Sequence, residues 1–276
     1  MRNLKLVVSV AALSAILSIS AASAADLPMK APAMVAVAPV DTWTGWYVGV
    51  NGGGVWGHTN TGVSINNPNT FFNPLNEPTV VAVGSNHINN SGGIAGGHVG
   101  YLWQSGKAVF GLEAGLDWMN AKGSIATAGI YPQNAPVTFR FNERVSTDWL
   151  FTFLGRVGFD AGGWMPYVTG GLAVSDLKYT NVFNDNFYPS TGTANFNQTK
   201  VGYAVGAGAE WKFNSNWSVR GEYLYVAFDN ITGSSVVAVT AIPAINFTFG
   251  HSATFTENIA RVAVSYHFGG PVVARY

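Results

Sequence analysis

The sequence has no cysteine in 276 residues, and only 10% of its residues are charged. The first absence excludes a disulfide framework and thiolate metal chemistry. The second sets the chain apart from soluble domains, in which about 25% of residues are charged. Long apolar runs are also missing. Beyond the opening segment, no stretch approaches the roughly 20 residues that a membrane-spanning helix needs, so any passage through a membrane has to be made by strands. Neither sign of charge is in excess, with 14 basic and 14 acidic residues. No basic patch for nucleic acid is visible, and none is expected as a partner. What the chain has in abundance is glycine, 33 residues, and tryptophan, 9.

The first residues, Met1-Arg2-Asn3-Leu4-Lys5, lead into an apolar segment from Leu6 to Ile19 and then the small-residue pattern Ala22-Ser23-Ala24. This reads as a secretory signal peptide over 1–24, cleaved before Ala25. Loss of Arg2 and Lys5 leaves 12 basic against 14 acidic residues, a net charge near −2. Residues 25–42 carry Pro28, Pro32 and Pro39 among alanine and valine without strand alternation, and read as a mobile leader.

The clearest signal is the stretch from Lys200 to Val226, two alternating runs about the turn Asn214-Ser215-Asn216. Tyr203, Val205, Ala207, Trp211 and Phe213 share one face, while Gly202, Gly206, Gly208, Glu210 and Lys212 share the other. This is a β-hairpin. A soluble sandwich would set its apolar face against a core and cover the other with long polar side chains. Here the second face is mostly glycine, with charges that need room, so the polar face is expected inside and the apolar face against lipid. The glycines are expected to clear space for Arg156, Arg220 and Arg261.

The same pattern recurs along the chain. Strands are predicted from Thr44 to Val55, Gly93 to Gln104, Ala108 to Met119, Asp148 to Phe159, Trp164 to Asp176, within the hairpin, and from Phe255 to Phe268. Between them, 58–91, 120–147, 177–199 and 229–252 read as long loops, alternating with short turns. The expected fold is all-β, an eight-stranded antiparallel transmembrane β-barrel over 43–276 with four long extracellular loops. The tryptophans support it independently of the alternation. Trp46, Trp103, Trp164, Trp211 and Trp217, with Trp43, fall at the terminal or short-turn ends of strands, and Trp56, Trp118 and Trp149 at the long-loop ends. Two aromatic belts at two membrane interfaces are expected.

Several motifs together carry a resemblance. They are Ala24-Ala25-Asp26-Leu27-Pro28, Trp46-Tyr47-Val48-Gly49, Gly111-Leu112-Glu113-Ala114, Tyr167-Val168-Thr169-Gly170-Gly171 and the final Tyr266-His267-Phe268. With them the chain resembles the alphaproteobacterial outer-membrane immunogenic proteins, relatives of the OmpA-type and opacity-type barrels of the porin family. The resemblance implies a Gram-negative outer-membrane location, a periplasmic leader, outer-membrane lipid as surroundings, and handling by the barrel-assembly machinery through an aromatic C-terminal residue. Either Phe268 or Tyr276 fits that last role, since Gly269 to Arg275 intervene. Neither a peptidoglycan-binding domain after Phe268 nor covalent-style anchoring to the cell wall is expected.

The inward charges Glu113, Asp117, Arg156, Glu210, Lys212, Arg220, Glu222 and Arg261 come from five predicted strands with balanced signs. In a lumen this narrow they are expected to pair and form a structural polar network. His98 and His267 point the same way, whereas His58, His87 and His251 fall in predicted loops, without the spacing of a metal or haem site. Gly52-Gly53-Gly54-Val55-Trp56-Gly57 matches a dinucleotide fingerprint in form, but a loop follows where a helix is needed. No hydrolase elbow or phosphate loop is present. The functional expectation is a non-enzymatic barrel without cofactor or metal, stabilising the envelope and presenting adhesin-like, immunogenic loops to host or envelope ligands. A small-solute porin and a surface haem-binding protein are the alternatives.

Overall fold

Short turns make the hairpins. Asp160 Oδ1 accepts the Gly162 N–H at 3.0 Å, and Gly162 and Gly163 take φ of 78° and 91°, the left-handed region that glycine enters without strain. Asn214 Oδ1 likewise accepts the N–H groups of Asn216 and Trp217, at 2.9 and 2.8 Å. Between such turns the alternating runs extend into strands. The structure, a computed structural model, describes residues 42–66, 72–186, 188, 190–239 and 246–268. The expected signal peptide, nearly all of the leader and Tyr276 lie outside the described residues.

The strands are β1 (Gly45–Asn66), β2 (His87–Ser105), β3 (Ala108–Ile130), β4 (Thr138–Phe159), β5 (Trp164–Asp185), β6 (Ser190–Lys212), β7 (Trp217–Phe228), β8 (Ile231–Val239) and β9 (Asn246–His267), with one helix, α1 (Glu77–Gly84). Every pairing is antiparallel between neighbours, and β1 also pairs with β9 from Tyr47↔His267 to Asn66↔Thr248, so the sheet closes on itself. β7 and β8 both pair with β9, one along its lower and one along its upper half. They occupy a single lane broken at Asp229 and Asn230, so nine strands fill eight lanes. The eight-lane antiparallel barrel agrees with the expected fold.

Three of the four excursions read as loops are largely strand, and the first, 58–91, has strand at both ends with α1 between them. β1 continues to Asn66, β3 to Ile130 and β5 to Asp185, and β4 begins at Thr138. With 23 residues, β3 is about twice the length that crosses a membrane. The physical reason is a reversal of polarity. Above the upper tryptophans the period of two persists, but the apolar residues now face inward: Phe139, Phe141 and Val145 are buried, while Arg140, Asn142 and Arg144 are exposed. In β4 the change occurs at an irregularity, where Thr147 and Leu150 both face in although three positions apart. That extra residue is a β-bulge, which shifts the outward set from odd to even numbers.

The interior is layered. At the short-turn end Trp43, Tyr47, Leu102, Val109, Met165 and Tyr167 pack together. Above the charged layer lies an apolar one that includes Ile94, Leu150, Leu154, Leu224, Phe255 and Ile259. At the far end Phe139, Phe141, Phe183, Phe247 and Phe249 form a second apolar cluster, closed by Val80 of α1. Asn76, which precedes α1, donates to Asn134 Oδ1 at 2.9 Å, and Thr127 donates to the Val83 carbonyl at 2.8 Å, fixing α1 to the β3–β4 end.

Candidate functional site

β3 places Glu113 at the centre of the lower lumen, because odd-numbered residues of that strand face inward. Arg220 of β7 reaches it across the barrel with both terminal nitrogens, Nη2 donating to Oε1 at 2.7 Å and Nη1 to Oε2. Tyr47 donates to Oε2 at 2.7 Å and accepts from Arg156 Nη1 at 3.0 Å. Arg156 continues to Glu210 Oε2 at 2.9 Å and lies 3.9 Å from the Tyr167 ring centroid. Glu210 Oε1 accepts from Ser218 at 2.6 Å and stands 3.2 Å from His267 Nε2. Arg261 links Glu222, at 2.8 Å from Nε, with Asp117, at 3.0 Å from Nη1, and Tyr167 donates to Glu222 Oε2 at 2.7 Å. Lys212 sits lower, donating to the Thr42 carbonyl at 2.7 Å with its ammonium 4.6 Å from the Trp43 ring. Thus the structure brings three arginines and four carboxylates into one network. The eight charges are all at most 9% exposed.

Such a layer can hold strands together and exclude water. Planar guanidinium groups matched to carboxylates make strong, directional bonds, and breaking one partner leaves a buried charge uncompensated.

Tyr47 and Tyr167 are partners that the eight expected charges did not include. Their signal was present: Tyr47 lies opposite Gly100, and Tyr167 opposite Gly208. A Cβ on Gly100 would collide with the Tyr47 ring, and one on Gly208 would come within 2.6 Å of the Tyr167 hydroxyl. Added Cβ atoms at Gly49 and Gly96 would meet His98 and Asp117. The inward glycines therefore clear space for tyrosine, histidine and aspartate side chains and for neighbouring backbone, not for the arginines as expected. Glu143 and Glu257 are also inward and buried. Glu257 shares the parity of Arg261 on β9 and accepts from Asn90 at 2.5 Å, while Glu143, in a segment read as loop, accepts from Thr61 at 2.7 Å and Asn86 at 3.0 Å.

On the outer face, Trp46, Trp103, Trp164, Trp211 and Trp217 ring the short-turn end, and Trp56 and Trp118 the other, each between 41% and 60% exposed. Trp149 is half-buried opposite Trp118. Trp43 does not join a belt: it turns inward and is buried, because Lys212 and the His267 ring, 5.9 Å away, receive it.

The three histidines assigned to loops are on strands. His58 and His87 stack on the outer wall with ring centroids 4.7 Å apart, and His87 Nδ1 is 2.7 Å from Asn60 Oδ1. His251 faces the upper interior, bonded to Ser235 Oγ at 2.8 Å. Burial pushes its imidazole down to about 4, and burial likewise raises the Glu143 carboxyl, against the hydrogen bonds from Thr61 and Asn86. Among the described residues no group of three or more metal-ligating side chains converges.

Residues 9–268 match the family model described as an outer membrane protein beta-barrel domain. The chain is 32% identical to the 31 kDa outer-membrane immunogenic protein of Brucella melitensis over 75% of its own length and 80% of the relative's. It is 30% identical to the 25 kDa outer-membrane immunogenic protein of Brucella ovis, over 83% and 92% of the two chains. Among solved structures, the outer membrane protease OmpT from Escherichia coli aligns at a TM-score of 0.44 and 10% identity, over 82% of this chain and 98% of that one. That last likeness carries no argument about activity.

Proposed function

Because the chain belongs to the outer-membrane immunogenic protein family of outer membrane β-barrels, we propose that it stabilises the envelope as a plugged barrel and offers its outer extension as a surface for interaction. The protein resides in the outer membrane, with lipid against its apolar wall. The observation that carries the proposal is the charged layer centred on Glu113, in which Arg156, Arg220 and Arg261 link carboxylates from three strands within a lumen sealed above by apolar side chains. A barrel filled in this way is a wall element, and neither transport nor catalysis is part of the proposal. The relatives' printed names speak of immunogenicity, which supports exposure of the upper extension to the outside.

The proposal includes export by a signal peptide over 1–24, a periplasmic leader over 25–42, and insertion by the barrel-assembly machinery through β9. Phe268 supports the last point, since its N–H bonds the Trp46 carbonyl at 2.9 Å and so belongs to the closing seam. The test is a deletion strain. Increased detergent sensitivity and vesicle shedding, reversed by the intact gene, are expected; an unchanged envelope together with slower uptake of small solutes would support the porin alternative instead.

A further inference from the structure

The outer wall above the upper tryptophans carries cations that the barrel itself does not use. Lys122 of β3 lies opposite Ser146 of β4, and Arg144 of β4 opposite Ser124 of β3, so the two cations are diagonal neighbours on one face. Diagonal cross-strand positions are about 7–8 Å apart, within reach of a single bound group. Both side chains are exposed and border a groove of about 520 Å³ together with Gly123, Ser124 and Ser146. Arg144 also borders the next groove, of about 430 Å³, toward Thr180 and Val182. Arg140 continues the stripe four residues further along β4. Nearby Lys178 is held by Asp148 and, at 3.4 Å, by Asp176, whereas among the described residues no carboxylate pairs with Lys122 or Arg144.

Height decides what these cations meet. Trp118 lies four residues below Lys122 on the same face of β3, and Trp149 lies opposite Trp118. Four residues of a tilted strand rise about 10 Å, which places the two cations just beyond the interfacial aromatic belt, where lipid headgroups end. Below them the wall is apolar, with Leu116 and Phe151 exposed. One amphipathic molecule would satisfy the whole strip, with acyl chains against Leu116 and Phe151, a saccharide edge against the tryptophans, and phosphate against Lys122, Arg144 and the two serine hydroxyls.

We propose that the β3–β4 outer wall, through Lys122 and Arg144 above Trp118 and Trp149, is a binding site for a phosphorylated glycolipid of the outer leaflet. The cations do not build the barrel, and the phosphate completes them by charge complementarity.

The test uses the full folded protein in detergent micelles and native mass spectrometry, titrating a diphosphorylated acylated disaccharide lipid. Binding is expected to weaken about fivefold for each cation removed, so about 25-fold in Lys122→Gln/Arg144→Gln. The dephosphorylated lipid with the same acyl chains should bind the intact protein as weakly as the double variant binds the phosphorylated one. Lys200→Gln, which changes a half-buried lysine on β6, should leave binding unchanged. Heat-dependent gel mobility verifies that each variant is folded, and the two single variants serve if the double does not fold. Equal binding by the intact protein and the variants overturns the proposal. So does equal binding of the dephosphorylated lipid, or displacement of the lipid by millimolar inorganic phosphate, which would mark a free-phosphate site.

Discussion

Arg220 and Glu113, 107 positions apart in the sequence, face each other across the barrel interior with Nη2 donating to Oε1 at 2.7 Å. Neither strand is the other's neighbour in the sheet, so this contact ties opposite walls, where backbone hydrogen bonds cannot reach. Arg156 and Tyr47 meet the same carboxylate from two further strands.

Loss of one partner should therefore cost more than loss of an ordinary side chain. Glu113→Ala leaves Arg220 and Arg156 without their shared carboxylate, and we expect a stability loss of about 3–5 kcal/mol, the range for an unpaired buried charge. Urea unfolding of the protein in lipid vesicles, followed by tryptophan fluorescence, measures it. The double variant Glu113→Ala/Arg220→Ala should lose less than the two single losses added; strict additivity would mean that the pair is not coupled.

The reversal of polarity along β3 makes a second expectation. Leu116 faces outward below the tryptophan belt and is 61% exposed, while Ala126 faces outward above it. Leu116→Arg should cost more than Ala126→Arg, because Leu116 sits in the apolar wall and Ala126 beyond the tryptophans, where a cation costs about 0–1 kcal/mol. Equal losses in vesicle unfolding would place the lipid boundary elsewhere.

His251 supplies a pH dependence confined to the upper extension. Its imidazole titrates at about 4 in the fold, below the ordinary histidine value of 6.5 that applies to the unfolded chain, because burial penalises the charged form. Its contribution is complete above about 6.5 and is lost as pH falls toward 4, since the unfolded segment then binds the proton more readily. Glu143 acts in the opposite sense: burial raises its carboxyl, so its protonation on acidification does not loosen the segment. Hydrogen exchange at 248–253, corrected for intrinsic rates, should accelerate between about pH 6.5 and 4.5 in the intact protein and stay flat in His251→Phe.

The lower barrel was legible because its alternation is set by two opposite solvents. Apolar residues such as Phe110 and Leu112 face lipid, and glycines and charges face a narrow lumen, so the sequence carried both the strands and the inward set. The upper barrel was not legible as strand, because the same period there runs with opposite sign. Phe139, Phe141, Phe247 and Phe249 are spaced for a strand, but Arg140 and Thr248 stand between the members of each pair and Asn- and Pro-rich segments that read as loop flank them. Nor could spacing reveal which charges meet. Glu113 and Arg220 are joined by shear and closure, which depend on the register of all eight lanes. The Tyr47–Gly100 pairing follows from the register of β1 on β2, whereas alternation alone tells only that both face inward.

If the charged layer closes the lumen, ions cannot pass through the barrel. Planar-bilayer recording of the purified, folded protein tests this most directly. No steady conductance is expected from the intact protein, whose lumen is filled by the charged layer and by the apolar layers on either side of it. Stable, porin-sized openings from the intact protein would contradict a closed lumen.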